Sequence, residues 1–524
     1  MRRARMTLCA IVALTVLTGC TAVFSPQSSN TTSPQSTPAE KPPTIERVTE
    51  DVARGPVEIQ GLSGQRIIDS THNAEARFAY LPGSDQFNQA LAELVKQQLD
   101  INAEEQESTY FPQVHPADWQ LQNRGCIPGT TFRPASEILA NPDVSPTDGQ
   151  RLSITCDVVI ASGPVFAERL RVVKGDAQAV TLDTSETLFT HRDTGEVARG
   201  SALFSPEALP LTLQQVLDNM GPSVTFLPPQ SGGPENPADF LAQTISDVHF
   251  DEDGNLIFAV TDAFTGALTN AASYPSEALF QIPAQIASDY LTPLGTAISE
   301  ALASHTPPSP ITATSPGQAY TNCSLTPCVA LTFDDGPAAR TPEVLEILAS
   351  HDSAATFYLL GVNAANYPEI VKQIADSGNE LGNHSWGHPD LTTLGPAGVV
   401  EEIQSTNQAI ADASGITPAT MRPPYGSFNQ QTLDAAGMPA MRWSIDTNDW
   451  QKPGVGEIVN RAVNPAIPGD VILIHDIHDQ SVDAVPGIVE GLRARGFTLV
   501  TVSQLFAGLL EPGSVYYGGS VDFG

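Results

Sequence analysis

The stretch Cys328-Val-Ala-Leu-Thr-Phe-Asp-Asp-Gly-Pro337 reads as a buried β-strand that ends abruptly on two adjacent carboxylates. Residues 329–333 form a short apolar run, and Gly336-Pro337 stops it, because proline has no N–H to continue a ladder. Further along the chain, six more runs of the same kind occur at 354–359, 380–383, 420–422, 440–445, 471–475 and 498–502. The intervening stretches have helical punctuation. Thr341 is placed to cap a helix with Pro342 at its first position, Gly378 closes the helix that starts near Pro368, and Gly437 closes the one that starts near Asn429. Seven strands alternating with helices define an α/β fold with a parallel sheet. The expected architecture is a distorted (β/α) barrel, closed or nearly so, in which the carboxyl ends of the strands face one mouth.

Those strand ends carry the unusual residues. They are Asp334-Asp335, then His384-Ser-Trp-Gly-His388, then Arg422-Pro-Pro-Tyr425-Gly426, then Asp446-Thr-Asn-Asp449-Trp450, then Leu473-Ile-His475-Asp476. One carboxylate and two imidazoles from different strand ends suit a divalent ion with positions left open for water and substrate. His384 and His388 share the spacing of a metalloprotease pair, but that motif needs a helix with Glu after the first His. Here Ser, Trp and Gly intervene and Pro389 follows. Taken singly, Asp-Gly-Pro is a common turn, a His pair is common surface polarity, and Arg-Pro-Pro-Tyr fits an extended connection. Five such groups at successive strand ends point to a catalytic mouth.

With these residues in place, the segment from about 326 to 506 resembles a polysaccharide deacetylase of the NodB homology type, carbohydrate esterase family 4. "VALTFDDGP", "HSWGH", "RPPYG", "DTNDW" and "LIHD" match all five family motifs. The resemblance implies metal-dependent hydrolysis of N-acetyl groups on a glycan. It makes Asp335, His384 and His388 the ligands of a divalent metal, zinc or another first-row ion such as cobalt. Asp334 becomes the general base, held by a charge-assisted pair with Arg422. The backbone N–H of Tyr425 faces the developing oxyanion. His475 becomes the general acid, oriented by Asp449, and Trp450 and Leu473 wall the acetyl methyl. Asp476 and His478 receive no role.

The rest of the chain supplies context. Arg2, Arg3 and Arg5 precede an apolar run at 6–16 and Leu-Thr-Gly-Cys20, the layout of a signal peptide over 1–19. The apolar run is too short to span a bilayer. The end of this segment resembles a bacterial lipobox, which implies lipidation of Cys20 and a place on the outer face of the bacterial cell membrane, held by that anchor alone. Residues 20–44 and 305–321 are rich in Pro, Ser and Thr and read as a tether and a linker. They delimit an α+β domain at 45–304, with room for two subdomains, and a catalytic domain at 322–508. A flexible tail is expected at 509–524.

In an oxidising exterior the remaining cysteines are expected as two disulfides. Their two separated clusters favour Cys126 with Cys156 and Cys323 with Cys328. In the front domain, 78–99 reads as a strand, a turn and an amphipathic helix, 152–160 alternates with period two, and Asp253-Gly254 marks a hairpin within 248–260. The strings "ALPLTLQQVLDNM", "DVHFDEDGNLIFAV" and "ALFQIPAQIASDYL" resemble the envelope-facing domain of lysozyme-sensing anti-sigma factors. That resemblance implies contact with glycan or with a wall-degrading enzyme such as lysozyme; a spacer that sets the working height above the membrane is the alternative.

The charge balance excludes some partners. With 59 acidic against 25 basic side chains and a net charge of -34, the chain repels nucleic acid and offers no basic surface to anionic lipid. The expected substrate is an acetylated glycan near the membrane, above all the amino sugars of peptidoglycan. O-acetyl ester cleavage on xylan or another glycan, and glycan binding without cleavage, are the alternatives.

Overall fold

The computed structural model describes residues 43–49, 55–116, 124–176, 178–275 and 278–518. The expected signal segment, the expected lipidation of Cys20, and the expected tether as far as Pro42 lie outside the described residues.

Strand β11 (Cys328–Asp334) is buried along its whole length and organises the back part. Alternate residues serve opposite faces, as the two-residue period of a strand requires. Val329, Leu331 and Phe333 enter a core shared with Val344, Leu348, Val371, Ile374, Val485 and Ile488 of the covering helices. Burying each such side chain contributes about 1.5–3 kcal/mol. Ala330 packs on the other face with Tyr358, Met441, Val471 and Val500. The same alternation aims Thr332 and Asp334 into the interior of the fold.

The sheet is parallel throughout and runs β13 (Glu380–Asn383), β12 (Thr356–Leu359), β11, β16 (Val471–His475), β15 (Ile445–Asp446). A sixth strand, β17 (Thr498–Val500), also pairs with β11. Ala330 lies between Val471 and Val500, and Thr332 lies between Leu473 and Thr356. Strands β17 and β12 therefore divide one edge of β11 between them, and Ala354 N donates to Leu499 O where they meet.

Several expectations require correction. The run 420–422 forms no continuous ladder: Met421 makes isolated parallel bridges to Asn383 and Ala440. The expected strand 440–445 is split. Ala440–Met441 (β14) and Ile445–Asp446 (β15) have different partners, because the chain passes from one side of the gap to the other. The seven-stranded ring of ladders is thus interrupted. The tail is not loose over 511–518, since β18 (Val515–Tyr516) adds in parallel to β14, and Arg442 N donates to Tyr516 O. Thr341 is the first residue of its helix, not its cap. Its hydroxyl accepts from Ala338 N and donates to buried Asp476. Gly378 and Gly437 do follow their helices in the left-handed region.

The front part contains a six-stranded sheet in the order β2 (Ser63–Asp69), β3 (Ala74–Tyr80), β4 (Arg151–Ser162), β5 (Val165–Gly175), β6 (Val180–His191), β7 (Glu196–Arg199), and a four-stranded sheet in the order β1 (Glu46–Val48), β10 (Ala278–Ile282), β9 (Leu256–Val260), β8 (Ile245–Phe250). The helix Asp85–Glu104 buries Phe87, Leu91, Val95 and Leu99. Strand β4 (Arg151–Ser162) alternates in sequence yet is buried at every position, because it is covered on both faces. Ser153, Asp157 and Ser162 are hydrogen-bonded within the protein, whereas Thr155 Oγ1 is buried without a partner among the described residues. Asp157, for example, accepts from Gly129 N, Thr131 N and the Thr131 hydroxyl. Cys126 is bonded to Cys156 and Cys323 to Cys328.

The proline-rich stretch after residue 304 is bound down. Gly163 N donates to Pro307 O, and Ser309 N donates to Gly163 O. Arg192 donates to the carbonyls of Ser309 and Pro310. The Gln504 amide donates to the carbonyls of Pro316 and Ala319, and Tyr110 Oη donates to Leu325 O.

Candidate metal and acid–base site

Asp334 and His475 are register partners at the carboxyl ends of adjacent strands β11 and β16, so both side chains emerge on the same face. Asp334 is buried, and its Oδ1 accepts from Arg422 Nη1 at 2.7 Å. Arg422 has no exposed surface. Its remaining donors go to Thr332 Oγ1 at 2.8 Å and to the carbonyls of Met441 and Arg442, both at 3.2 Å. Its guanidinium lies 4.3 Å from the centre of the Tyr358 ring. A cation this well partnered is held rigidly, and it fixes the carboxylate it touches.

Asp335 follows immediately, but its φ of 69° turns its side chain away from its neighbour's direction. Its Oδ1 lies 3.5 Å from His384 Nε2 and 3.6 Å from His388 Nε2. The ligand-capable atoms of the three residues all lie within 4.8 Å of one another. Asp335 Oδ1 is buried without a hydrogen-bond partner, a costly state for a carboxylate oxygen unless a cation satisfies it. His384 Nδ1 sits 2.7 Å from Arg422 O, which fixes the ring and leaves Nε2 toward the cluster. Burial, reinforced by the neighbouring His384, holds the His388 imidazole below its usual pKa, toward the neutral form that a ligand needs. One oxygen and two nitrogen donors around an unsatisfied carboxylate fit a divalent first-row ion.

His475 faces this cluster from β16. Its Nδ1 lies 2.9 Å from Asp449 Oδ1, and its N–H donates to Asp449 Oδ2 at 2.9 Å. Asp449 is fully buried and also accepts from the Ser481 and Thr447 hydroxyls. Burial alone would lower the His475 pKa, but the bond and charge of Asp449 outweigh it and raise the imidazole to about 9. For Asp449, burial opposes ionisation, while the bonds from His475 and Ser481 bring its pKa below the ordinary value.

Tyr425 is left-handed, with φ 60°, and its ring meets the His388 ring edge-on at 4.5 Å. Tyr425 and Trp450 are exposed, at 66% and 55%, and so stand at the rim, whereas Leu473 is buried below it. The structure therefore gathers Asp334, Asp335, His384, His388, Arg422, Tyr425, Asp449, Trp450, Leu473 and His475 around one mouth. His478 lies 6.0 Å from His475, ring to ring. Asp476 points the other way, into the protein. Burial raises its pKa to about 6, the Thr341 hydroxyl bonds to it, and it packs so closely on Gly336 that a Cβ there would lie 2.6 Å from its Oδ1.

Sequence reading missed Thr332, Ser481, Glu402 and Asn363. Thr332 stands inside the VALTFDDGP motif, where strand alternation aims it inward, but its partner Arg422 is 90 positions away; the other three reach the site from helices outside the motifs, where no local pattern marks them.

Residues 321–441 match the polysaccharide deacetylase family model. A chitooligosaccharide deacetylase of Bradyrhizobium is 37% identical over 205 residues, which are 36% of this chain and 94% of that protein. The chain belongs to the polysaccharide deacetylase family. The peptidoglycan-N-acetylglucosamine deacetylase PgdA of Listeria monocytogenes is 37% identical over 190 residues, 36% of this chain. The peptidoglycan-N-acetylmuramic acid deacetylase PdaC of Bacillus subtilis is 42% identical over 178 residues, 34% of this chain. The matches span 41% of the Listeria protein and 38% of the Bacillus protein.

Proposed function

We propose that the protein hydrolyses N-acetyl groups from the amino sugars of a cell-envelope polysaccharide, peptidoglycan first among them, and releases acetate. The observation that carries this is the opposition, across one mouth, of Asp334 beside the Asp335-His384-His388 cluster to a His475 bonded to Asp449. A base on one side and an acid on the other is what amide hydrolysis requires, because water must lose a proton and the amine must gain one. The kinds of substrate named for the family relatives favour glycan amides over esters.

In this reading Asp335, His384 and His388 hold a divalent ion, zinc or another first-row metal, which supplies Lewis-acid polarisation of the acetyl carbonyl and activation of water. Asp334, aligned by Arg422, takes the proton from the attacking water. The Tyr425 N–H faces the oxygen on which negative charge develops. Protonated His475, oriented by Asp449, gives its proton to the sugar nitrogen as the C–N bond breaks. Leu473 and Trp450 enclose the acetyl methyl. The interrupted sheet reads as a distorted barrel whose gap at Met421 is spanned by the bridges to Asn383 and Ala440.

The remaining assignments belong to the same proposal. The chain is an exported lipoprotein anchored through Cys20 on the outer face of the membrane, and its front domain contacts glycan or a wall-degrading enzyme such as lysozyme. The test is acetate release from N-acetylated peptidoglycan by the full chain, with and without chelator, followed by mass spectrometry of the digested wall. Release that depends on metal and leaves free amino sugars supports the proposal. Loss of O-acetyl groups only would make the protein an esterase, and inertness on every acetylated glycan would make it a binding protein.

A further inference from the structure

We propose that Glu402 is a positioning residue for the metal-ligand loop, acting from the helix Pro396–Ser414 on residues that lie between His384 and His388. This rests on reading Asp335, His384 and His388 as metal ligands. The loop has an improbable backbone: Ser385 and His388, neither of them glycine, have φ of 66° and 63°. Left-handed conformations cost non-glycine residues free energy and persist only where the surroundings impose them.

Those surroundings can be traced group by group. Trp386 N and Gly387 N both donate to Glu402 Oε2, at 2.8 and 3.1 Å. Ser385 N donates to Asn383 Oδ1 at 2.8 Å, and His388 N donates to Ser385 Oγ at 3.1 Å. On the other side, the carbonyls of Ser385 and Trp386 accept from Gly361 N and Val362 N, at 3.0 and 3.1 Å. Those two donors open the short helix Gly361–Asn366, whose Asn363 Nδ2 also donates to Asp335 O at 2.7 Å. The approach is close enough to require glycine at 361, where a Cβ would lie 2.4 Å from the Trp386 ring and 2.6 Å from Thr406 Oγ1.

The loop is thus held between two helices. One of them also holds the backbone of the carboxylate ligand, and the other contributes a single carboxylate oxygen that accepts two successive N–H groups. Charge-assisted bonds of this kind are stronger than neutral ones. Among the described residues, the hydrogen bonds of the Glu402 carboxylate go to the loop N–H groups of Trp386 and Gly387 rather than to a ligand side chain, so its effect on the cluster passes through the loop. Supporting residues of this sort commonly set metal affinity.

The experiment titrates the metal-stripped full chain with zinc against a chromogenic chelator, and records melting temperatures with and without zinc. Wild type is expected to bind one zinc per chain. Glu402→Ala is expected to bind it roughly 10–100-fold more weakly, with a smaller zinc-induced rise in melting temperature and little change in the melting of the metal-free protein. Glu402→Gln, which keeps an acceptor oxygen at the same reach, should recover much of the affinity. Equal affinity in wild type and Glu402→Ala overturns the inference and leaves the ligand assignment standing. Failure of wild type to bind zinc overturns the ligand assignment, and the inference with it. Should Glu402→Ala not fold, Glu402→Asp decides in the same way, since its shorter arm cannot span both N–H groups.

Discussion

Asp334 and Asp335 are neighbours in sequence with opposite surroundings. Asp334 is bonded to a buried arginine, whereas Asp335 carries a buried oxygen with no partner. In the proposed mechanism that contrast gives proton transfer to the first and ligation to the second. Asp334→Asn should therefore retain stoichiometric zinc in a chelator titration while acetate release falls by about 10²–10⁴-fold. Loss of zinc from this variant would reverse the two roles. As the proposed general acid, His475 must be protonated to act, so activity should decline as pH rises toward its raised value of about 9. A nearby cation would bring that limb somewhat lower. Asp449→Asn removes the group that favours the charged imidazole and should shift the alkaline limb to lower pH, readable in a kcat/KM profile. At this scale the sequence was informative wherever chemistry is concentrated in short motifs. It was silent on Glu402, which reaches Trp386 across 16 positions, and on Ser481, which reaches Asp449 across 32. No periodicity marks residues that act through a fold not yet known.

At the scale of elements, the alternation of β11 explains why its reading anchored the fold. Odd-numbered residues from Val329 to Phe333 bury against helices, and Thr332 and Asp334 project inward to Arg422. Periodicity failed where strands are too short to have one. The 420–422 run is reduced to bridges, and the break between β14 and β15 depends on partners rather than on composition. Strand β4 is long enough to alternate, yet its alternation concealed the second covered face, because what covers a face depends on partners elsewhere in the chain. Its neighbour β5 contains Glu168, fully buried, with Oε1 accepting from Ala79 N and Oε2 without a partner. Burial raises its pKa to about 8, against 4.5 for an ordinary glutamate, and the Ala79 bond only partly offsets this. Between those values the folded protein keeps a proton that the unfolded chain releases, so this residue makes stability fall as pH rises. Glu168→Gln should flatten that decline and raise the melting temperature by several degrees above pH 8. Parallel melting curves for the two proteins across pH 5–9 would rule the account out.

At the scale of the whole molecule, the net charge of -34 sits on a protein whose proposed catalytic mouth is built around one deeply buried cation, Arg422. The overall acidity says nothing about the site; it matters for partners and solubility. Composition alone makes the proline-rich stretch after residue 304 look like a loose linker, because composition cannot show what a segment leans on. In the structure, backbone pairing with Gly163 and the bonds from Arg192 hold its first half, and Gln504 holds its second half from the back part. Its amides are therefore denied to the extended conformation that a protease must impose before it can cut. Limited digestion of the folded protein should leave 306–319 intact until the protein itself unfolds, whereas early cleavage there would mean that the segment peels away in solution.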